Sequence, residues 1–218
     1  MPCCRGQNYD RLFGARTARK ELRAYRKRGP RGATARLLDL LRAAHPDHPS
    51  LLDIGGGVGV IPQELLKIGA SQVTSVDASA AYCATIEDIA REQGNAGRWV
   101  TIDGDFVERA DDVTPADVVT LDKVICCYPD MPALVSESAE KAKRLYGIVV
   151  PRDDWWMRLV AKVGNSIFRL LRFEFQGFVH PLAEIDAVAE QAGVRIRATT
   201  SYWIWSVRVY DRAARSAA

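Results

Sequence analysis

The spacing of apolar side chains changes period several times along the chain, and each change marks an element. Over residues 15–28, Ala15, Ala18, Leu22 and Tyr25 recur three and four apart, which is one face of a helix, while Arg and Lys cover the rest. Gly29-Pro30 ends it. A second helix over 33–44 turns Leu37, Leu38, Leu40 and Leu41 inward. It stops before His45-Pro46, because the residue ahead of a proline is pushed out of the helical region. From Ser50 onward, short apolar runs alternate with longer helical ones. The pattern predicts strands over 51–54, 72–77, 98–102, 116–121 and 145–150, with helices over 61–68, 80–93 and 132–143. Apolar runs separated by helices indicate a parallel sheet covered on both faces, a doubly wound α/β domain.

The last part breaks this rhythm. Residues 155–173 form a long amphipathic stretch (Trp156, Leu159, Val160, Val163, Ile167, Leu170, Leu171) inserted after the fifth strand, and a helix over 181–192 follows. Strands over 194–200 and 203–210 then lie about two residues apart, too close for a helical crossover and suited to an antiparallel hairpin. The expected organisation is a helical extension or lid over 1–46 and one α/β domain over 47–212. The domain carries an inserted helical segment over 153–178, and a frayed tail follows over 213–218.

Composition adds little until it is divided along the chain. The 218 residues are 48% hydrophobic and 26% charged, as in an ordinary globular protein. The net charge of +3 conceals a split: residues 1–36 hold eleven basic and two acidic side chains, a local +9, which leaves −6 for the remainder. No apolar run approaches the roughly 20 residues of a membrane span, and no secretory segment follows the basic start, so a cytoplasmic protein is expected. The five cysteines (Cys3-Cys4, Cys83, Cys126-Cys127) lack both the framework of a disulfide-stapled domain and the C-x₂-C spacing of zinc sites. Reduced thiols and no metal are expected.

The strongest chemical signal is Leu51-Leu52-Asp53-Ile54-Gly55-Gly56-Gly57-Val58-Gly59, an apolar strand ending in an acid and entering a glycine turn that opens a helix. Glycines suit a turn that a ligand must approach closely, and ligands of open α/β sheets bind at the carboxyl ends of the strands. Neither G-x-G-x-x-G nor G-x-x-x-x-G-K-[ST] is satisfied, since Val60 and Pro62 stand where glycines are required. What remains is a nucleoside site without phosphate equipment. Asp77, 22 residues after Gly55, ends the second strand where a carboxylate can accept both ribose hydroxyls. Gly104-Asp105-Phe106 follows the third strand, and an acid beside an aromatic there can hold adenine by its amine and its flat face. Asp122-Lys123 ends the fourth.

Residues 51–150 resemble a class I S-adenosylmethionine-dependent methyltransferase, with its Rossmann-like seven-stranded sheet and its seventh strand antiparallel beside the fifth. The resemblance implies S-adenosylmethionine as cofactor. Asp53, Gly55, Gly57 and Gly59 would line its amino-acid end, Asp77 with Ala78 its ribose, Gly104, Asp105 and Phe106 its adenine, with Asp122 at the end of the fourth strand.

The acceptor is less legible. The Asp-Pro-Pro-aromatic run of amino-methylating nucleic-acid enzymes is absent from Asp122-Lys123-Val124-Ile125-Cys126-Cys127-Tyr128-Pro129, and no proline precedes either cysteine as in carbon-5 cytosine enzymes. A small-molecule acceptor methylated at oxygen is expected. An RNA or other nucleic-acid enzyme, and a non-catalytic S-adenosylmethionine-binding protein, are the alternatives. His180 is either a general base or a capping or core histidine ahead of Pro181. Its position resembles that in magnesium-protoporphyrin O-methyltransferases. The aromatic-rich stretch over 155–173, with Phe175 and Phe178, is either a lid on an apolar acceptor pocket or core. Tyr25, Tyr128 and Trp156 are the candidate pocket contacts. The basic first helix either attracts an acidic partner or is a solvated face whose Arg stems pack over the cleft.

Overall fold

The computed structural model describes residues 13–44, 46–170 and 176–213. Cys3 and Cys4, Arg5, Arg11, His45, the predicted helix end at Leu171–Phe173, Phe175 and the tail beyond 213 lie outside the described residues. In chain order the elements are α1 (Ala15–Arg28), α2 (Gly32–Ala43), β1 (Ser50–Ile54), α3 (Val60–Lys67), β2 (Gln72–Asp77), α4 (Ala80–Glu92), β3 (Trp99–Asp103) and α5 (Phe106–Arg109). There follow β4 (Ala116–Asp122), α6 (Met131–Glu140), β5 (Ala142–Pro151), α7 (Trp155–Leu170), α8 (Leu182–Gln191), β6 (Val194–Tyr202) and β7 (Trp205–Arg212).

The seven strands are ordered β3-β2-β1-β4-β5-β7-β6. The first five are parallel neighbours, and β7 runs antiparallel to both β5 and β6. Alternation along the strands builds two cores. Leu52, Ile54, Val119, Leu121, Tyr146, Ile148 and Tyr210 face α6 and α8, while Leu51, Val118, Leu145, Val149, Val207 and Val209 face α2, α3 and α4. Leu37, Leu38 and Leu41 of α2 are fully buried in the second core, each contributing about 1.5–3 kcal/mol. The expected boundary at residue 46 therefore separates elements that share one core.

Helix α1 lies elsewhere, across the carboxyl ends of the strands. Ala18 packs with Val58 of the glycine turn and Tyr82 of α4, and the Tyr82 hydroxyl donates to Glu21 Oε2 at 2.8 Å. This helix closes one side of the cleft above β1 and β2.

Three boundaries differ from the pattern. The helix predicted over 132–143 ends at Glu140 because Ala142 already pairs with Ala116, lengthening β5. Trp203, predicted within a strand, forms the hairpin turn with φ 52. Helix α5 was invisible as four residues; it starts where Asp105 accepts the Val107 N–H at 2.9 Å.

Candidate active site

The ends of β1, β2, β3 and β4 surround a cavity of about 460 Å³, within the range of small-ligand sites. Gly55, Gly56 and Gly57 form its floor beside Asp77 and Ala78. Gly104, Asp105 and Phe106 form one wall, and Asp122, Lys123, Val124, Cys127 and Tyr128 another. Phe13, Glu21 and Ala24 cover it from the side of α1.

At Gly55 and Gly56 the turn leaves no room for a side chain. A Cβ on Gly56 would lie 1.7 Å from Asp53 Oδ2, and one on Gly55, whose φ is +61°, would lie 2.7 Å from Val124 Cγ2. Gly59 serves a different purpose. Its φ of 66° begins α3, and a Cβ there would meet the Trp99 ring at 2.5 Å, so it sets helix packing and does not line the cavity. The Gly57 N–H and the Ser79 N–H both donate to Asp77, at 3.3 and 2.9 Å. Burial nevertheless pushes the Asp77 carboxyl up to about 6.

Asp53 is completely buried beneath Gly56 rather than exposed at the cavity. Its Oδ1 accepts the Thr120 hydroxyl at 2.6 Å, and burial pushes the carboxyl up to about 7. Its role is thus beneath the turn, where it fills the space that glycine leaves. Among the described residues, Asp53 Oδ2 and Asp105 Oδ2 are buried without a hydrogen-bond partner. Asp105 is the more telling of the two, because it lines the cavity. Its Oδ1 accepts both the Val107 N–H and the Tyr128 hydroxyl, each at 2.9 Å, leaving Oδ2 to accept from a ligand.

At the end of β4 a cluster forms that the sequence did not announce. The Thr34 hydroxyl, from α2, donates to Asp122 Oδ2 at 2.5 Å, and Lys123 Nζ donates to Thr34 Oγ1 at 2.8 Å while standing 3.0 Å from Asp122 Oδ1. Lys123 holds this position with φ 66, a left-handed backbone rare for a residue other than glycine, at a cost of about 1 kcal/mol or more. Thr34, Glu21, Phe13, Tyr82 and Lys123 all line the cavity and were missed. Thr34 and Asp122 are 88 positions apart, a pairing with no local signal. Lys123 had one, as the residue that follows the acid at a strand end.

Two candidate pocket residues stand away from the cavity. The Tyr25 hydroxyl donates to Glu64 Oε1 at 2.8 Å and accepts from Lys67 Nζ at 3.0 Å, tying α1 to α3. Trp156 is on an outward face of α7. Tyr128 does line the cavity. His180 is half-buried beside it: its Nε2 donates to the Tyr128 carbonyl at 3.1 Å, its ring stacks on Phe178, and burial lowers its pKa. That geometry braces the turn carrying Cys127 and Tyr128. His180 is not among the residues that line the cavity, so the base role read from sequence position gains no support from the geometry. Cys126 donates to the Lys123 carbonyl at 3.3 Å, with its sulfur 3.8 Å from that of Cys127. The neighbouring sulfur and burial push its thiol up, the behaviour of an inert group.

A family model described as a methyltransferase domain matches residues 22–198. No curated protein matches the chain. Among solved structures, the chain is similar to magnesium protoporphyrin IX methyltransferase from Synechocystis PCC 6803 with bound S-adenosylhomocysteine (TM-score 0.66, 19% identity, 83% of this chain and 82% of that one). It is also similar to a complex of the Haloferax volcanii Trm112 methyltransferase activator with a methyltransferase (0.68, 15%, 97% and 99%). An O-methyltransferase family 2 protein from Planctomyces limnophilus, in complex with apigenin, is a further likeness (0.64, 18%, 91% and 62%). With glycine turn, acids and strand order in the places this fold uses, and a family model spanning most of its length, the chain belongs to the methyltransferase-domain family of class I S-adenosylmethionine-dependent enzymes.

Proposed function

We propose that this methyltransferase acts on an oxygen of a small-molecule acceptor, one that reacts as an oxyanion such as a carboxylate or phenolate. The observation that carries the reading is Lys123, an ammonium group fixed in a strained backbone at the cavity wall by Asp122 and Thr34. Among the described lining residues Lys123 is the one Lys or Arg, set among Glu21, Asp77, Asp105 and Asp122, so it is the point on the wall that favours an anionic oxygen while the acids favour the cationic cofactor. A carboxylate is already ionised at neutral pH and needs no base, which agrees with a cavity lining that does not include His180, whose Nε2 is taken by the Tyr128 carbonyl. The enclosing side chains Phe13, Val58, Val60, Val124 and Leu134 suit an apolar body on that acceptor. Magnesium protoporphyrin methyltransferase and the apigenin-bound enzyme are small-molecule enzymes of the same fold, which supports this class of acceptor without naming the compound.

The cofactor, when bound, supplies a methyl group on a positively charged sulfur, so the protein's task is alignment and exclusion of water. Asp77 accepts from the ribose hydroxyls, and Asp105 Oδ2 accepts from the adenine amine beside the Phe106 ring. The backbone of Gly55–Gly57 lies against the amino-acid end, above Asp53. Lys123 holds the acceptor oxygen. Tyr128, tied to Asp105, couples the nucleoside wall to the acceptor wall.

The test is release of S-adenosylhomocysteine from the purified protein over a panel of carboxylic acids and phenols, set beside amines and RNA. Turnover confined to the anionic small molecules, with Lys123→Met raising their KM at least about tenfold at unchanged cofactor affinity, supports the reading. Turnover on RNA or amines alone would refute it, and cofactor binding with no turnover on any acceptor would favour a binding protein.

A further inference from the structure

Helix α7 is amphipathic, but its larger apolar face points away from the protein. Met157 is its one buried residue. At 100° per residue, Met157, Ala161, Gly164 and Phe168 share the side turned to the body. Trp155, Trp156, Leu159, Val163, Ile167 and Leu170 share the other and are 40–82% exposed. A contiguous apolar stripe of this kind on a helix marks an interaction surface.

The helix is pinned in this orientation. The Arg152 N–H ahead of it donates to the Ile204 carbonyl at 2.8 Å, and Asp153 Oδ2 accepts the Leu182 N–H at 3.1 Å. The Asn165 side chain, midway along, both donates to and accepts from the Gly177 backbone, at 2.8 and 2.9 Å. Turning the stripe onto the cavity would break all of these, so of the two sequence readings, lid or core, the exposed stripe follows neither.

Its charges say what covers it. Arg158 (3.7 Å from Asp153), Lys162 and Arg169 fall within about 40° of each other on one flank of the stripe, and residues 155–170 contain no Asp or Glu. A second copy docking with the two helices antiparallel about a two-fold axis would bring this cationic rail against its own like, and a parallel pair would give it no acid of the partner helix to meet, since residues 155–170 contain none. A plane of anionic headgroups neutralises it while the stripe enters the acyl boundary. The tryptophans fit the same plane. Trp155 and Trp156 open the helix, and Trp203, 80% exposed, tips the hairpin turn that the Arg152–Ile204 hydrogen bond places beside the helix entrance. Among the described residues no helix is long and apolar enough to cross a membrane. We propose that α7 docks the protein on an anionic lipid surface, lying in the plane of the interface.

The proposal is independent of the acceptor reading and is tested with the full chain. Sedimentation with phosphatidylcholine vesicles, alone or with about one-third phosphatidylglycerol, at about 0.1 M salt should show binding to the anionic vesicles and little to the neutral ones. The tryptophan emission should shift to the blue on binding. The triple variant Arg158→Gln/Lys162→Gln/Arg169→Gln should weaken partition about a hundredfold, from three cations at a surface. Leu159→Glu/Ile167→Glu should abolish it. Both variants change exposed side chains and should keep wild-type melting and cofactor affinity, which verifies folding. Failure of the wild type to bind anionic vesicles, or wild-type partition by the Leu159→Glu/Ile167→Glu variant, overturns the proposal. So does a dimer that this variant dissociates in a protein that ignores vesicles.

Discussion

Asp105 allows stability and ligand binding to be separated with one atom. Its Oδ1 is occupied by two donors, the Val107 N–H and the Tyr128 hydroxyl, while Oδ2 is buried without a partner among the described residues. In Asp105→Asn those two donors dictate the amide orientation: the oxygen must stay at the Oδ1 position, so the NH₂ takes the place of Oδ2. Fold stability should change by no more than about 0.5 kcal/mol, because cap and Tyr128 bond both survive. In the proposed binding mode a donor then faces the adenine amine where an acceptor stood. Loss of a hydrogen bond to a charged group costs about 1.5–3 kcal/mol, or roughly 10- to 150-fold in affinity. Asp105→Ala should instead lose the cap, about 1 kcal/mol, and leave the Tyr128 hydroxyl buried without its acceptor, about 1–3 kcal/mol more. Titration calorimetry with S-adenosylhomocysteine and urea denaturation measure the two quantities. If Asp105→Asn binds within about twofold of wild type, Oδ2 is not the adenine acceptor. If it is as unstable as Asp105→Ala, the cap and Tyr128 argument fails.

The raised carboxyls give a pH signature of fixed sign. Asp77 at about 6 and Asp53 at about 7, against an ordinary 3.8, hold protons more tightly in the folded protein than in the unfolded chain. Their contribution to stability is therefore full below pH 3.8 and lost as pH rises through 6 and 7. The ligand-free melting temperature should fall between those limits, while S-adenosylmethionine affinity rises, being about tenfold weaker one unit below the Asp77 value; an affinity flat with pH would contradict the assignment of Asp77. Gly56→Ala should cost at least about 2 kcal/mol in urea denaturation, since its Cβ would stand 1.7 Å from a carboxylate that Thr120 holds in place. Tyr25→Phe should cost about 1 kcal/mol by removing the Glu64 bond yet leave cofactor affinity intact, and a stable variant without cofactor binding would place Tyr25 back at the site.

The glycine-and-acid half of the cavity was legible in the sequence because each of its parts is local. A strand, the turn that follows it and the acid at its end are contiguous, so Gly55, Gly57, Asp77, Gly104 and Asp105 could be named from spacing and all line the cavity. Asp53 and Gly59 belong to the same motif, yet one is buried beneath the turn and the other packs on Trp99. A motif records that a residue type is required, and does not distinguish touching a ligand from shaping the backbone that does.

The rest of the cavity wall is assembled by elements distant in sequence, and hydrophobic periodicity cannot rank such pairings. Helix α1 has one apolar face whether it lids the cleft or lies on solvent, and only its packing on Val58 and Tyr82 brings Glu21 and Ala24 to the cavity while sending Tyr25 to Glu64. The same holds for α7, whose stripe reads equally as core, lid or docking face until Asn165 and Arg152 are seen to anchor the other side. Local chain chemistry determined the elements, their order and the glycine-and-acid nucleoside site. Tertiary structure decided which apolar faces meet each other, and so the Thr34–Asp122–Lys123 cluster, the bracing of the Tyr128 turn by His180 and the outward face of α7, because the free energy of burying a face depends on what it is buried against.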